Sequence, residues 1–242
     1  MENAVGSKPT NLGNPSDPSR DRDTVLEILS VYKENPIIKR IKEQSVFTPS
    51  KFSLNHATRE QINTLIKDLD TGKSVGHDKI PAKYVKMVAD ILDEPLTKVI
   101  NTSIDNNKFC ESAKIAVVPP VYKKKDRTLK ENYRPVSILN VFSKVFEKHL
   151  KNSIDPYVDE ILSAFISAYR KHYGTGHVIM KLIEEWRKHL DQGKFVGSVL
   201  MDLSKAFDCV PHDLLIAKLE AYGFDLNALT FFILILKDAS NA

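Results

Sequence analysis

The chain has 242 residues, 42% of them apolar, 8% aromatic and 27% charged, with a formal net charge of +4. That is enough apolar material to bury the core of one large or two small domains, and it excludes a wholly disordered chain. The two cysteines, Cys110 and Cys209, are too few and too far apart for a secreted disulfide scaffold. With no signal-like start and no apolar run long enough to span a bilayer, the expectation is an intracellular protein, cytoplasmic or nuclear, with no membrane partner.

Residues 1–21 are mostly Asn, Pro, Ser, Gly and charge, too poor in large apolar side chains to offset the entropy of ordering, and read as a flexible tail. Short helices are expected over Thr24–Tyr32 and, past Pro36, around Ile37, Ile38 and Ile41. Thr58 followed by Gln61 forms a capping box, with Ile62, Leu65, Ile66 and Leu69 on one helical face up to Gly72 and Gly76. Pro81 opens another apolar-periodic segment, and a further one runs from Leu96 past Pro95 to Ile104. Residues 22–112 therefore read as a helical extension.

The pattern then changes. Ile115–Tyr122 is β-branched and aromatic but interrupted by Pro119 and Pro120, which suits an edge strand or a bent extended segment. Lys123–Asn132 reads as a polar loop. Helices are expected from Val141 to Leu150, around Ile179, Leu182, Ile183, Trp186 and Leu190 as far as Gly193, and from Pro211 to Tyr222 with Gly223 as the stop. Phe195–Met201 reads as a buried strand ending in Asp202. The apolar stretch Phe231–Leu236 is expected to lie exposed for want of a partner.

Charge is concentrated in one place. Between Lys114 and Lys151 ten basic residues face three acidic ones, so this window carries the chain's whole positive excess. Clustered cations suit a polyanion, since binding releases condensed counterions; a solvated loop is the plain alternative. Asp202 also has two readings. It either caps a following turn or ligates a hard cation such as Mg²⁺, because a carboxylate at the end of an apolar strand needs compensation. A two-metal site requires a second carboxylate, and Asp208 would lie about 20 Å away along a continuing strand.

The residues 199–208, Val-Leu-Met-Asp-Leu-Ser-Lys-Ala-Phe-Asp, resemble the first palm motif of reverse transcriptases from non-long-terminal-repeat retrotransposons. Residues 132–139, Asn-Tyr-Arg-Pro-Val-Ser-Ile-Leu, leading to Ser143–Lys148, resemble the fingers motif of the same family. Residues 76–83 and 118–127 continue the resemblance in the family's order. It implies an α+β fold, the fingers and partial palm of a right-hand polymerase over residues 113–242, behind the helical extension. It further implies RNA-directed DNA synthesis with an RNA template, a DNA primer, deoxynucleoside triphosphates and Mg²⁺. By this resemblance Asp202 is the first metal-binding, catalytic aspartate, Phe207 packs under the nucleotide sugar, and Lys123 and Arg134 meet the triphosphate. Lys124, Lys125 and Arg127 face template backbone or solvent, and Arg170 matches the arginine of a further motif that handles nucleic acid.

Departures accompany the likeness. Ile166, Ala168 and His172 stand where relatives often carry Gln, Gly and Gly; Ile166 loses a polar contact, and Ala168 and His172 are expected not to take the positive φ that glycine allows. The family's later palm motif, an aromatic residue with paired aspartates, has no counterpart, so the chain alone is expected to extend primers little or not at all. A non-catalytic nucleic-acid-binding remnant is the alternative. Other chemistries fit worse. A phosphate loop at Asp70–Ser74 lacks its first glycine, with Lys67 in its place, and an aspartate-nucleophile phosphotransferase lacks its second acid, with Ser204 there.

Overall fold

The computed structural model describes residues 18–44, 51–163, 165–202 and 209–239. Among them, helices α1 (Pro18–Tyr32), α2 (Pro36–Gln44), α3 (Arg59–Lys67), α4 (Ala82–Met87), α5 (Ala89–Asp105) and α6 (Glu111–Lys114) precede the hairpin of β1 (Pro120–Tyr122) and β2 (Tyr133–Pro135). Helices α7 (Val141–Ile161), α8 (Thr175–Asp191), α9 (His212–Ala221) and α10 (Leu226–Ala239) follow. The architecture is a mixture of many helices with one small antiparallel sheet, compatible with an α+β chain. No helix among the described residues is long and apolar enough to cross a membrane.

Local chemistry sets the helix ends. The Thr58 hydroxyl accepts from Gln61 N–H at 3.2 Å, while Gln61 Oε1 accepts from Thr58 N–H at 2.9 Å, closing the expected capping box. The helix stops at Asp68, ahead of Gly72. Pro95 does not divide the next segment. It lies inside α5, and the break falls instead at Val88, whose φ of −111° and ψ of 23° separate α4 from α5. Asn140 caps α7 by accepting from Ser143 N–H at 2.7 Å. Residues 18–21, expected in the tail, form the first turn of α1.

Two buried clusters form the core. One gathers Ile62, Leu65, Ile66, Ile100, Phe109, Val145, Phe146 and Phe231 from α3, α5, α7 and α10. The other gathers Val25, Ile28, Ile38, Phe52, Ile216, Phe224, Leu229 and Ile233 from α1, α2, α9 and α10. Helix α10 serves both, so the stretch Phe231–Leu236 is covered rather than exposed: Phe231 is 0% and Ile233 2% accessible. A helix satisfies its own backbone and needs only side-chain cover, which α1, α7 and α9 supply here. The segment before α3 ties the two ends of the chain together. Phe52 N–H donates to Gly223 O and Asp225 N–H to Phe52 O, both at 2.9 Å, and the Phe52 and Phe224 rings lie 4.4 Å apart.

Behind α3, Asp93 is held in α5 by Arg59 at 2.9 Å and Asn63 at 2.8 Å. Burial pushes its carboxyl up, but hydrogen bonds from Asn63 and the Glu94 N–H, with the Arg59 charge, outweigh this and hold it below the ordinary carboxylate value. Gly76 fixes the loop ahead of α4. A Cβ there would lie 2.6 Å from Asn140 Cα, so the backbone approaches the cap of α7 more closely than any side chain permits.

Candidate nucleic-acid interface

The hairpin runs in one register from the Val117–Ile138 bridge through Pro120–Pro135, Val121–Arg134 and Tyr122–Tyr133. Pro119 and Pro120 lack N–H groups and are accommodated because this two-stranded ribbon is all edge. Lys123 N–H donates to Asn132 O at 2.8 Å, carrying the pairing one step past β1. Side chains alternate across the ribbon, so Val121, Lys123 and Arg134 share one face and Tyr122 and Tyr133 the other. The structure therefore brings Lys123 and Arg134 together, as the nucleotide reading requires.

The hairpin tip is built by its own side chains. The Asp126 carboxylate accepts from Thr128 N–H and Oγ1, each at 2.8 Å, and the N–H bond foremost holds that carboxyl below its ordinary value. Tyr122 donates its hydroxyl to Lys125 O at 2.5 Å and Tyr133 to Arg127 O at 2.8 Å. The Arg127 guanidinium stands 5.0 Å over the Tyr122 ring. Arg127 thus belongs to the tyrosine face and differs from Lys124 and Lys125, which project at the exposed turn. Lys125 takes φ 76° there. No ion pair among the described residues engages Lys123, Lys124, Lys125, Arg127 or Arg134, so their charge is available to an anion.

The segment expected to be a buried strand is not one. Residues 195–202 form no regular secondary structure and pair with nothing among the described residues, and Phe195, Leu200 and Met201 are almost wholly exposed. A strand leaves its N–H and C=O groups pointing sideways and forms only against a neighbour. The described strands β1 and β2 pair with each other instead. Asp202 is exposed at the end of this segment and lines no cavity described below. Phe207 and Asp208 lie outside the described residues. Helix α8, which leads into the segment, has the expected apolar face but no buried residue.

Arg170 is turned inward. Its Nε lies 3.3 Å from an Asp159 carboxylate oxygen, its Nη2 donates to Asp159 O at 3.1 Å, and its guanidinium sits 5.2 Å over the Tyr173 ring. It closes the loop after α7 onto that helix. In the same loop Tyr169 and His172 take φ of 63° and 66°. The expectation that glycine replacements refuse this conformation fails at His172 and holds at Ala168, in a loop that the Arg170 contacts brace.

A cleft of about 1090 Å³ between α3 and α7 had no signal in the sequence beyond scattered polar residues. Lys148 and Lys171 stand on its wall beside Glu60 and Asp68. His149 reaches it from the buried face of α7, with Nε2 3.2 Å from Asn55 O. Burial drives the imidazole below its ordinary pKa, with the Asn55 bond partly opposing, so the ring is neutral and Nε2 carries the hydrogen.

Residues 122–239 match the family model described as reverse transcriptase (RNA-dependent DNA polymerase). That stretch starts in the tyrosine hairpin and ends in α10. The chain is similar to proteins of mobile elements. It is 28% identical over 181 residues to the probable RNA-directed DNA polymerase from transposon BS of Drosophila melanogaster, covering 73% of this chain and 20% of that one. It is 23% identical over 192 residues to the RNA-directed DNA polymerase from mobile element jockey of the same organism, covering 77% and 21%. The transposon TX1 149 kDa protein of Xenopus laevis is also 23% identical over 192 residues, covering 78% and 14%. The chain spans about a fifth or less of the length of these relatives.

The family works with a divalent metal on template, primer and deoxynucleoside triphosphates. Among the described residues of this chain, no group of three or more His, Cys, Asp or Glu side chains is arranged to hold a metal ion. Asp202 by itself does not fit a two-metal site, which needs carboxylates holding ions about 3.5–4 Å apart.

Proposed function

We propose that the chain is the fingers and the opening of the palm of a retrotransposon reverse transcriptase, carried behind a helical extension over residues 22–112. In the intact polymerase Lys123 and Arg134 meet the triphosphate, Phe207 lies under the sugar and Asp202 supplies one Mg²⁺-binding carboxylate. Lys124 and Lys125 meet the backbone of the RNA template or DNA primer. Arg170 acts instead by holding the loop after α7. The observation that carries this reading is the hairpin register, which sets Lys123 and Arg134 on one face, where no ion pair among the described residues engages either. An intracellular place of action, cytoplasmic or nuclear, goes with it.

The chain alone binds a primer–template but does not extend it, because Asp202 has no second carboxylate beside it among the described residues. Filter binding of an RNA–DNA primer–template against salt tests the first half. The expected result is a steep loss of affinity with salt and a shallower slope for Lys124→Ala/Lys125→Ala. Binding indifferent to salt overturns the reading. Mg²⁺-dependent extension that disappears in Asp202→Ala overturns the second half. The bare surroundings of Asp202 favour a second reading, a non-catalytic nucleic-acid-binding remnant; that same extension result would overturn it too.

A further inference from the structure

The two faces of the hairpin ribbon differ in chemistry. Opposite the face of Lys123 and Arg134, the residues Val118, Pro120, Tyr133 and Pro135 line a groove of about 430 Å³, which Thr128 and Lys130 complete from the loop. Tyr122 shares this face, but the Arg127 guanidinium covers its ring at 5.0 Å. Tyr133 is the ring left to the groove. It is half-buried and stands edge-on to Tyr122, with centroids 5.7 Å apart and planes at 61°. Its hydroxyl donates to Arg127 O at 2.8 Å, which holds the ring in place before anything binds and leaves little side-chain freedom to be lost on binding.

Charge and backbone together select the occupant. Lys130 lines the groove, Arg127 stands over the neighbouring Tyr122, and no ion pair among the described residues engages either cation. Of the acids nearest in sequence, Asp126 is turned onto Thr128 N–H and Oγ1, and Glu131 does not line the groove. A cationic rim on an apolar slot suits an anion that carries flat apolar groups. An extended peptide suits it poorly, because Pro120 and Pro135, which face each other in the register, offer no N–H for strand addition.

We infer that the tyrosine face holds single-stranded nucleic acid, with one base slotted against the Tyr133 ring beside Pro120 and Pro135 and an adjoining phosphate toward Lys130. Aromatic rings flanked by cations take single strands of any sequence in this way. The site shares no residue with the face of Lys123 and Arg134 and needs no polymerase step. It rests on the proposed nucleic-acid reading only for the kind of polymer bound.

Fluorescence anisotropy of a labelled oligothymidylate with the full chain, compared with an abasic oligomer of equal length, singles out the base, since the phosphate charge is the same. The expected result is about tenfold tighter binding of the oligothymidylate. Tyr133→Leu, which keeps an apolar side chain in the ribbon, is expected to abolish that difference, and Tyr133→Phe, which keeps the ring, to retain it. Lys124→Ala/Lys125→Ala is expected to weaken both oligomers together and leave the difference intact, so failure of the tip-lysine reading and failure of this one give separate results. An oligouridylate in parallel names the strand: it binds tighter than oligothymidylate if the face takes RNA, weaker if it takes DNA, and equally if the sugar is not read. Equal binding of the oligothymidylate and the abasic oligomer by the unaltered chain overturns the proposal, as does a difference that survives in Tyr133→Leu or vanishes in Tyr133→Phe.

Discussion

Two stretches of this chain are almost equally apolar and meet opposite fates. Phe231–Leu236 lies in α10 with Phe231 fully buried, whereas Phe195–Met201 forms no regular secondary structure and Met201 is 92% exposed. Composition does not separate them. The first is helical, closes its own hydrogen bonds and needs only apolar neighbours, which arrive from three other helices. The second has the β-branched and aromatic make-up of a strand and requires the backbone of another strand, which the described residues do not offer. Apolar sequence sets the demand for burial; the geometry of the element decides which kind of partner meets it.

The sharpest way to break this comparison is truncation in both places. Phe231→Ala removes a ring that packs 5.9 Å from Phe146 and is expected to cost about 3–5 kcal/mol. Met201→Ser is expected to change stability by less than about 0.5 kcal/mol. Urea unfolding midpoints measure both, and equal losses would mean that residues 195–201 are buried after all. Next in size is Gly76→Ala. Its Cβ would meet Asn140 backbone at 2.6–2.8 Å, and the forced shift of the α7 cap is expected to cost about 1–3 kcal/mol by the same measurement.

Acid provides a third probe, aimed at the buried side. His149 is neutral in the fold and its pKa is lowered from 6.5 by burial, so the unfolded chain takes up the proton first. Its contribution is therefore fully present above pH about 6.5 and is lost as pH falls through the folded value. Unfolding curves between pH 7 and 5 should show this fall, and His149→Leu should flatten it. The smallest effect is expected in the loop after α7. His172→Gly relieves a left-handed residue but adds unfolded-state freedom, for a net gain below about 1 kcal/mol in the urea midpoint. A loss there would mean that the His172 side chain, rather than Arg170, holds the loop.

Much of the architecture was legible in advance because its signals are local. Thr58 with Gln61 marks a helix start through bonds made within one turn, and Gly223, with φ 93°, marks a stop because few other residues adopt that angle freely. The tip lysines and Arg134 were legible as a cationic window, and the family motifs supplied their roles. The tyrosine and Arg127 stack was not, because it depends on which residues the register places opposite each other. Arg170 reads as a nucleic-acid-handling arginine from its motif, yet Asp159, eleven residues earlier, captures it once α7 extends past Pro156.

By itself, then, the sequence determined most of the helices, the basic window and the family resemblance, all of which rest on contacts between near neighbours or on ordered motifs. The tertiary structure alone decided that α10 is covered, that residues 195–202 have no strand beside them among the described residues, and that Lys123 and Arg134 share a face. Burial and pairing are properties of two segments at once, and the residues of one segment state only what it needs from the other.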